Sequence, residues 1–428
     1  MLELLPYQKL AVDAFLLKKR VLWHWDVGVG KTPPALKAIE ESHAYPAIYF
    51  CPSILKRQIL NESQRFTQLD AVVVDGMKAE RQAILNEKHD LYICNYEMLM
   101  TCFEEFYKLN PQFIVCDETQ KITHSTNKSY KRLMKLSPEY RLCMSGTPVN
   151  NELWEYWGIA NFLYPGAFGQ NFFQWRSLNC KVLPYFPKII GYFSEDRIRK
   201  QFAAFTNRIR REEVMQLPPL QELRIEIKMD EEHRKIYNIL KNNLVLEMKG
   251  METITVPNLL VLILRLKILT NCPRVMDINL ISSKEKSLDE ILEIHSLEKV
   301  IVFFNYTKVL HKINEKFKVP YIDGSVSQKD RDEILCRFRE NKDSKLLFMS
   351  EAGGTGLNIT EATIVIHYEL PFSFSRIDQR NGRIWRRNQT KVCKSYCLIM
   401  ADSIDEKLEK LIQKKKRLCV EDLVKVLK

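Results

Sequence analysis

Three short stretches gather side chains able to do chemistry. "DVGVGKT" (26–32) sets Gly28 and Gly30 before Lys31 and Thr32, following an apolar run "VLW" (21–23). Glycines let backbone N–H groups approach phosphate oxygens. A lysine at this spacing reaches the β- and γ-phosphates of a nucleotide, and the threonine hydroxyl ligates Mg²⁺. "FIVCDE" (113–118) ends an apolar run in two acids. Asp117 would hold the Mg²⁺ through water, and Glu118 would position and polarise an attacking water. Each stretch alone has a plainer reading, a glycine turn capping a helix or a solvated acidic pair at a strand end. "QRNGRIWRRNQ" (379–389) brings Arg383 and Arg386 three residues apart, so on a helix they would share a face. Such guanidinium groups would clamp a γ-phosphate or form a plain nucleic-acid patch, and the spacing leaves both open.

The elements that must hold these residues are legible as periodic apolar runs. "RVLWHW", "AIYFCP", "AVVVDG", "LYICNY", "FIVCDE" and "RLCMSGTP" punctuate the first half, with amphipathic stretches such as "ILKRQILNESQRF" (54–66) between them. A second series, "KVIVFFNY", "PYIDGS", "KLLFMSEAGG", "TIVIHYELP" and "VCKSYCLIM", follows late in the chain. Continuous apolar strands alternating with helices predict parallel sheets covered on both faces. The fold class is therefore α/β, with two parallel-sheet lobes in tandem and helical insertions. Residues 150–215 lack clear βαβ units, "MQLPPLQEL" (215–223) reads as a connector, and 229–248 as a long helix with an acidic start. The expected division is 1–218, with a helical insertion at about 150–210, and 219–428, with one at about 229–280 and site motifs at 300–390.

Composition narrows the partners. The chain has 428 residues with 65 Lys plus Arg against 53 Asp plus Glu, a net +12, which suits a polyanion. The 11 cysteines make no CxxC pair, an odd number without a secretory signal, as in a reducing cytosol. His24, His124 and His367 form no metal-ligand spacing. "NLLVLIL" (258–264) stops at Arg265, too short for a bilayer, and "MLELLPYQ" lacks the basic start of a signal peptide, so a cytoplasmic or nucleoid-associated protein without membrane partners is expected. The aromatics of "NFLYPGAFGQNFFQW" (161–175) are read as packing rather than base stacking, and "KKKR" (414–417) as a solvated basic helix end.

Taken in order, the stretches resemble superfamily-two helicases, and within them the Snf-type DNA translocases of chromatin remodelling and fork repair. "LLPYQKLAV" resembles the family's opening glutamine motif, "DVGVGKT" its motif I and "CPSILKRQ" its motif Ia. "DETQKITHSTNKSYKRLMKL" is similar to the DExH box and trailing helix, and "RLCMSGTPVNNELWEYWGIANFLYPGAFG" to motif III with its extension. "NRIRREEVMQLPP" resembles the connector, and "LRLKILTNCP", "YIDGSVSQKDRDEILCRF", "SEAGGTGLNITEATIVIHYELPFSFSRIDQRNGRIWRRNQ" and "SIDEKLEKLIQKKK" follow in the family's order.

The resemblance implies two RecA-like lobes with ATP and Mg²⁺ between them. It assigns Gln8 to adenine, and Gly28, Gly30, Lys31, Thr32, Asp117 and Glu118 to the first lobe's side of the site. Gly356, Gln379, Arg383 and Arg386 would complete it, and Ser145 and Thr147 would couple it to DNA. Pro52, Ser53, Asn95, Tyr96, Ser350 and Thr355 fall where such lobes touch the phosphate backbone. Departures are Trp25 before Asp26, where the family has an acidic pair, and Pro33 and Pro34 after the threonine. No chromatin-reading module is evident, which makes a histone partner doubtful and suits a compact, monomeric bacterial or viral enzyme. The implied activity is ATP-driven movement along DNA that remodels or unwinds forks and branches. An RNA helicase, or a nucleic-acid scaffold switched by ATP without motor action, are the competing readings.

Overall fold

The computed structural model describes residues 2–148, 152–183, 189–249, 256–351, 353–354, 357–371 and 373–413. The chain divides into two compact units, Met1–Gln216 and Leu217–Lys428.

In the first unit the strands are β1 (Arg20–Trp25), β2 (Ala47–Cys51), β3 (Ala71–Val73), β4 (Leu91–Asn95), β5 (Phe113–Asp117), β6 (Tyr140–Ser145), β7 (Cys180–Val182), β8 (Ile189–Tyr192) and β9 (Thr206–Ile209). Seven of them form one sheet in the order β3-β4-β2-β5-β6-β1-β9, every neighbouring pair parallel. Alternation along each strand feeds two cores. In β2, Ile48 and Phe50 enter one, while Ala47, Tyr49 and Cys51 enter the other. Burying each large side chain contributes about 1.5–3 kcal/mol, so this two-sided pattern is what demands helices on both faces. The covering helices include α1 (Pro6–Lys18), ahead of β1, and α2 (Thr32–Ser42), the crossover between β1 and β2.

The second unit holds β10 (Leu220–Ile227), β11 (Val300–Phe304), β12 (Tyr321–Ile322), β13 (Leu346–Ser350), β14 (Ile364–His367) and β15 (Cys393–Met400). They form a parallel sheet in the order β10-β15-β14-β11-β13-β12. Val300, Val302 and Phe304 face one core and Ile301 and Phe303 the other. Each unit is thus a parallel α/β sheet, as the apolar runs imply.

The insertions correct two expectations. The stretch read as a helical insertion at about 150–210 also carries an antiparallel hairpin, β7 with β8, and ends in β9, which extends the main sheet. Part of the expected connector is strand: Leu220–Ile227 pairs along its full length with β15. Alternation in "LQELRIEI" is polar-rich because only Ile227 of this strand is fully buried, so it escapes a search for apolar runs. The long helix runs over Glu231–Lys249.

Candidate functional site

A parallel sheet puts the carboxyl ends of all its strands on one edge, which is why such edges collect ligand-binding loops. In the first unit that edge receives the loop after β1 (26–31), Pro52 and Ser53 after β2, Asn95 at the end of β4, Asp117 and Glu118 at β5, and Ser145 and Thr147 at β6. Residues scattered over more than a hundred positions are gathered by topology alone.

The glycine loop is built as a cradle. Gly28 and Gly30 have φ of +87° and +74°, values that side-chain-bearing residues rarely adopt. Gln8 is buried on α1; its amide donates to the Gly30 carbonyl (2.8 Å) and accepts from Leu5 N (2.9 Å). Tyr7 donates its hydroxyl to the Val29 carbonyl (2.7 Å). From the other side, Asp26 accepts from the Arg208 guanidinium (2.6 Å) and the Arg211 amide (2.9 Å), while Arg211 Nε donates to the Val27 carbonyl (3.0 Å). Burial would raise the Asp26 pKa, but Arg211 and Arg208 outweigh it and hold the carboxyl below its usual range. Burial and the neighbouring Arg208 push His24 down to about 4, so it is neutral at pH 7. Trp25 is core: it stacks on Trp23 at 4.7 Å and donates to Asn207 Oδ1 at 2.6 Å. Pro33 and Pro34 occupy the first turn of α2, where missing N–H groups cost nothing.

Lys31 Nζ donates to the main-chain carbonyls of Trp25 (3.0 Å) and Asp26 (3.1 Å), folded over its own loop. Thr32 hydrogen-bonds Tyr49, whose hydroxyl lies 3.4 Å from Asp117 Oδ2. Asp117 is only 7% exposed, and its Oδ1 accepts from the Glu118 amide at 2.9 Å. Burial, then repulsion from Glu118, pushes its pKa up to about 7, with Lys31 opposing. Glu118 sits in the left-handed region, φ 55° and ψ 60°, which costs a non-glycine residue roughly 1 kcal/mol. Strain of this kind persists where the surroundings impose it. The Glu118 carboxylate accepts from Gln120 Nε2 (2.8 Å), and Ser145 Oγ donates to Gln120 Oε1 (3.0 Å) while accepting from Thr147 N (3.0 Å). A polar chain therefore runs from the strained acid to the loop after β6. A Cβ on Gly146 would come within 2.9 Å of Val27, so that loop also packs on the glycine cradle.

The residues expected at the DNA backbone are placed unevenly. Ser53 is exposed, and Pro52, Asn95 and Thr147 are half-buried. Ser145 and Ser350 are buried, each with its hydroxyl committed to a nearby main-chain amide. Tyr96, expected at the same backbone, has its side chain turned into the unit. It is 6% exposed, stacks on Phe50, and donates its hydroxyl to the Asp117 carbonyl at 2.7 Å. Its placement supports the acid from beneath.

In the second unit, Gln379 lies on the helix Phe374–Asn381. Arg383 and Arg386 do not share a helical face: the helix ends at Asn381, with Gly382 as its cap, and both arginines follow in successive turns. Those turns are pinned by Trp385 Nε1 donating to the Pro218 carbonyl (2.7 Å) and by buried Gln389, which donates to the carbonyls of Thr360 (2.9 Å) and Ile384 (3.1 Å). The helix end is fixed by Asn381, whose Oδ1 lies 3.0 Å from Nε2 of buried His367. Thr355, Gly356 and the "KKKR" run lie outside the described residues.

Sequence reasoning missed Tyr7, Tyr49, Arg208, Arg211 and Arg380. All five lie inside quoted stretches, but nothing in their spacing signals their contacts: Tyr7 reaches Val29, 22 positions away, and Arg208 and Arg211 reach Asp26 across 182 and 185 positions.

Two parallel-sheet units, the first with a glycine loop between β1, which lies next to the edge strand β9, and α2, define an α/β protein with a P-loop. Comparison with known proteins sharpens this. A family model described as an SNF2-related domain matches residues 19–275, and one described as a helicase conserved C-terminal domain matches 283–388. The chain belongs to the SNF2-related family. It is 25% identical over 417 residues to an uncharacterised ATP-dependent helicase of Mycoplasma genitalium, covering 93% of this chain and 40% of that protein. It is 26% identical over 364 residues to a DNA repair and recombination protein RAD54-like of Drosophila pseudoobscura, covering 74% and 46%. The chain thus spans less than half the length of these relatives. The SWI2/SNF2 ATPase core of Sulfolobus solfataricus in complex with dsDNA is similar at 24% identity and a TM-score of 0.47, over 96% of this chain and 91% of that one. No described helix is long and apolar enough to cross a membrane.

Proposed function

We propose that the chain hydrolyses ATP and uses the cycle to move along DNA, with forked or branched DNA as its working substrate. The observation that carries this reading is the assembly at one sheet edge of Lys31, Asp117 and strained Glu118, joined through Gln120 to Ser145 and Thr147. In this reading Lys31 exchanges its two loop carbonyls for phosphate oxygens. Gln8, already holding Gly30, keeps the cradle's shape while the adenine is read. Thr32 and Asp117 would hold Mg²⁺, which supplies neutralisation of phosphate charge when bound. A buried carboxylate raised to about 7 fits such an ion, because a divalent cation removes the penalty of ionising it. Glu118 takes the proton of the attacking water, and its link to Ser145 passes the change in charge to the loop after β6. Arg383 and Arg386 supply guanidinium groups to the γ-phosphate, the role of an arginine finger.

DNA is favoured over RNA by what the relatives are named for, RAD54-like repair and recombination among them, and the net +12 suits either polyanion. Grip through phosphates is sequence-blind and weakens with salt. The test is ATP hydrolysis measured with duplex DNA, forked DNA, single strands and RNA, for wild type, Lys31→Ala and Glu118→Gln. Stimulation by DNA is expected, with Glu118→Gln slowed by about 10²–10⁴, the range for loss of a general base. Unchanged hydrolysis in Lys31→Ala would refute the site, and stimulation by RNA alone would select the RNA reading. Binding without turnover would select the switched scaffold.

A further inference from the structure

The aromatic stretch after β6 builds a cavity that the phosphate chemistry does not use. About 350 Å³ in volume, it lies in the first unit between residues 167–169 and the helices Phe172–Asn179 and Glu195–Ala203. Phe168, Trp175 and Leu178 give it apolar walls, and Gln174, Arg197 and Gln201 give it polar ones. None of these belongs to the glycine loop, the acidic pair or the loop after β6. Pockets that take small molecules begin at about 300 Å³ and combine apolar walls with a few placed polar groups.

Two donors here are uncommitted. Trp175 is 3% exposed, and its buried indole Nε1 has no acceptor among the described residues. Buried indole N–H groups are normally bonded. Those of Trp25, Trp157 and Trp385 donate to Asn207 Oδ1 (2.6 Å), the Phe168 carbonyl (3.1 Å) and the Pro218 carbonyl (2.7 Å). The Trp175 ring is held in place by Phe172, stacked at 6.1 Å, and by Phe202 at 6.4 Å. Arg197 uses one nitrogen, Nη2, on Asn179 Oδ1 (2.9 Å) and the Leu178 carbonyl (3.5 Å). Its neighbour in sequence, Glu195, pairs with Arg199 instead (3.3 Å). Asn179 is buried, and its Nδ2 donates to the Trp175 carbonyl (2.8 Å), so one amide ties the guanidinium to the residue carrying the indole. Gln174 accepts from the Gln170 amide with Oε1 (2.8 Å), which leaves its NH₂ as a third donor.

We propose that this cavity binds a small organic anion, a single carboxylate on an apolar or aromatic body. The lining sets the sign and the size of the charge: it holds one guanidinium and no acidic side chain among the described residues, so one negative charge is matched and a cation finds no counter-charge. The planar fork of Arg197 takes the carboxylate, Trp175 supplies its N–H to the same group, and the body packs on Phe168 and Leu178. Leu178 is 63% exposed, an apolar surface that such a body covers. The site shares no residue with the proposed nucleotide site and does not rest on the function argued above.

Phenylacetate, its neutral isostere phenylacetamide and inorganic phosphate serve as probes, titrated into the full chain and followed by calorimetry and ligand-observed NMR, for wild type, Arg197→Met and Trp175→Phe. Phenylacetate should bind, and the amide and phosphate should each bind about tenfold more weakly or worse, the scale of one hydrogen bond to a charged group. Arg197→Met should weaken phenylacetate by about tenfold or more. Trp175→Phe keeps an aromatic ring, removes the N–H and should weaken it by about tenfold. Both variants should melt near wild type and hydrolyse ATP at the wild-type rate, which separates loss of the site from loss of the fold. If Trp175→Phe melts early, Arg197→Met, at an exposed position, carries the test alone. Equal binding of acid and amide, equal binding of phosphate, or an affinity for phenylacetate that Arg197→Met leaves unmoved would overturn the proposal. So would no binding of phenylacetate at about 10 mM, where a ten-atom ligand of ordinary efficiency already binds.

Discussion

Asp117→Asn should stabilise the nucleotide-free protein at pH 8 while abolishing hydrolysis. The magnitude follows from the acid's surroundings. Its carboxyl is buried beside Glu118, and its pKa is pushed up to about 7 from an ordinary 3.8. At about 1.36 kcal/mol per pH unit, ionising it in the folded chain costs about 4 kcal/mol more than in the unfolded chain. The sign is that of a group with a raised folded pKa. Below about pH 4 it is protonated in both states and costs nothing. Between about 4 and 7 the unfolded chain ionises while the folded chain resists, so stability falls. Above about 7 the deficit is constant. An asparagine keeps an acceptor for the Glu118 amide and carries no charge, so it escapes this loss. The assay is thermal or urea unfolding of both proteins without Mg²⁺ or nucleotide from pH 4 to 8. The variant's advantage should be absent at pH 4, grow through pH 5 and 6, and level off above pH 7, reaching some fraction of the 4 kcal/mol ceiling. Added Mg²⁺ and ATP should stabilise wild type alone. An advantage independent of pH, or a variant less stable at pH 8 than at pH 4 by the wild-type margin, would refute the claim that Asp117 is held against ionisation.

Two further substitutions examine the cradle and its support. Gly30→Ala places a Cβ 3.0 Å from Gln8 Nε2 at a φ of +74°. The left-handed backbone alone costs about 1–2 kcal/mol, so the midpoint of unfolding should fall and the KM for ATP rise; unaltered values of both would show that the loop is not constrained by Gln8. Tyr96→Phe deletes the bond to the Asp117 carbonyl and should lower stability by about 0.5–1.5 kcal/mol without weakening DNA binding. A selective loss of DNA affinity in filter-binding or anisotropy measurements would place the Tyr96 side chain at the DNA surface.

How much of this was readable beforehand follows from the range over which each signal acts. The phosphate loop and acidic pair are local: strand, turn and helix propensities set their geometry within a few residues, and a parallel sheet then assembles them without further instruction. The runs that became β1 to β6 and β11 to β15 were legible because strands buried on both faces must be apolar throughout. β10 was not, since an edge strand with one buried residue carries almost no such pattern. Three-residue spacing fits a shared helical face at Arg383 and Arg386, but the helix ends at Asn381 with Gly382 as its cap, and the commitments of Trp385 and Gln389 pin the turns that follow.

Arg380 shows why the remainder was hidden. In sequence it is one of four arginines within eight residues, and composition gives no reason to separate it from Arg383, Arg386 or Arg387. Only the closing of the sheet decides that its neighbours are Asn305, Glu351 and Glu369, from 11 to 75 positions away. Once those acceptors converge, water is excluded and the guanidinium cannot leave without stranding a carboxylate and two amide-type oxygens. The same long-range closure ties Arg208 and Arg211 to Asp26 in the first unit. In both units, then, residues that would meet phosphate are announced by local motif, and the buried charges that hold those motifs in place are specified by topology.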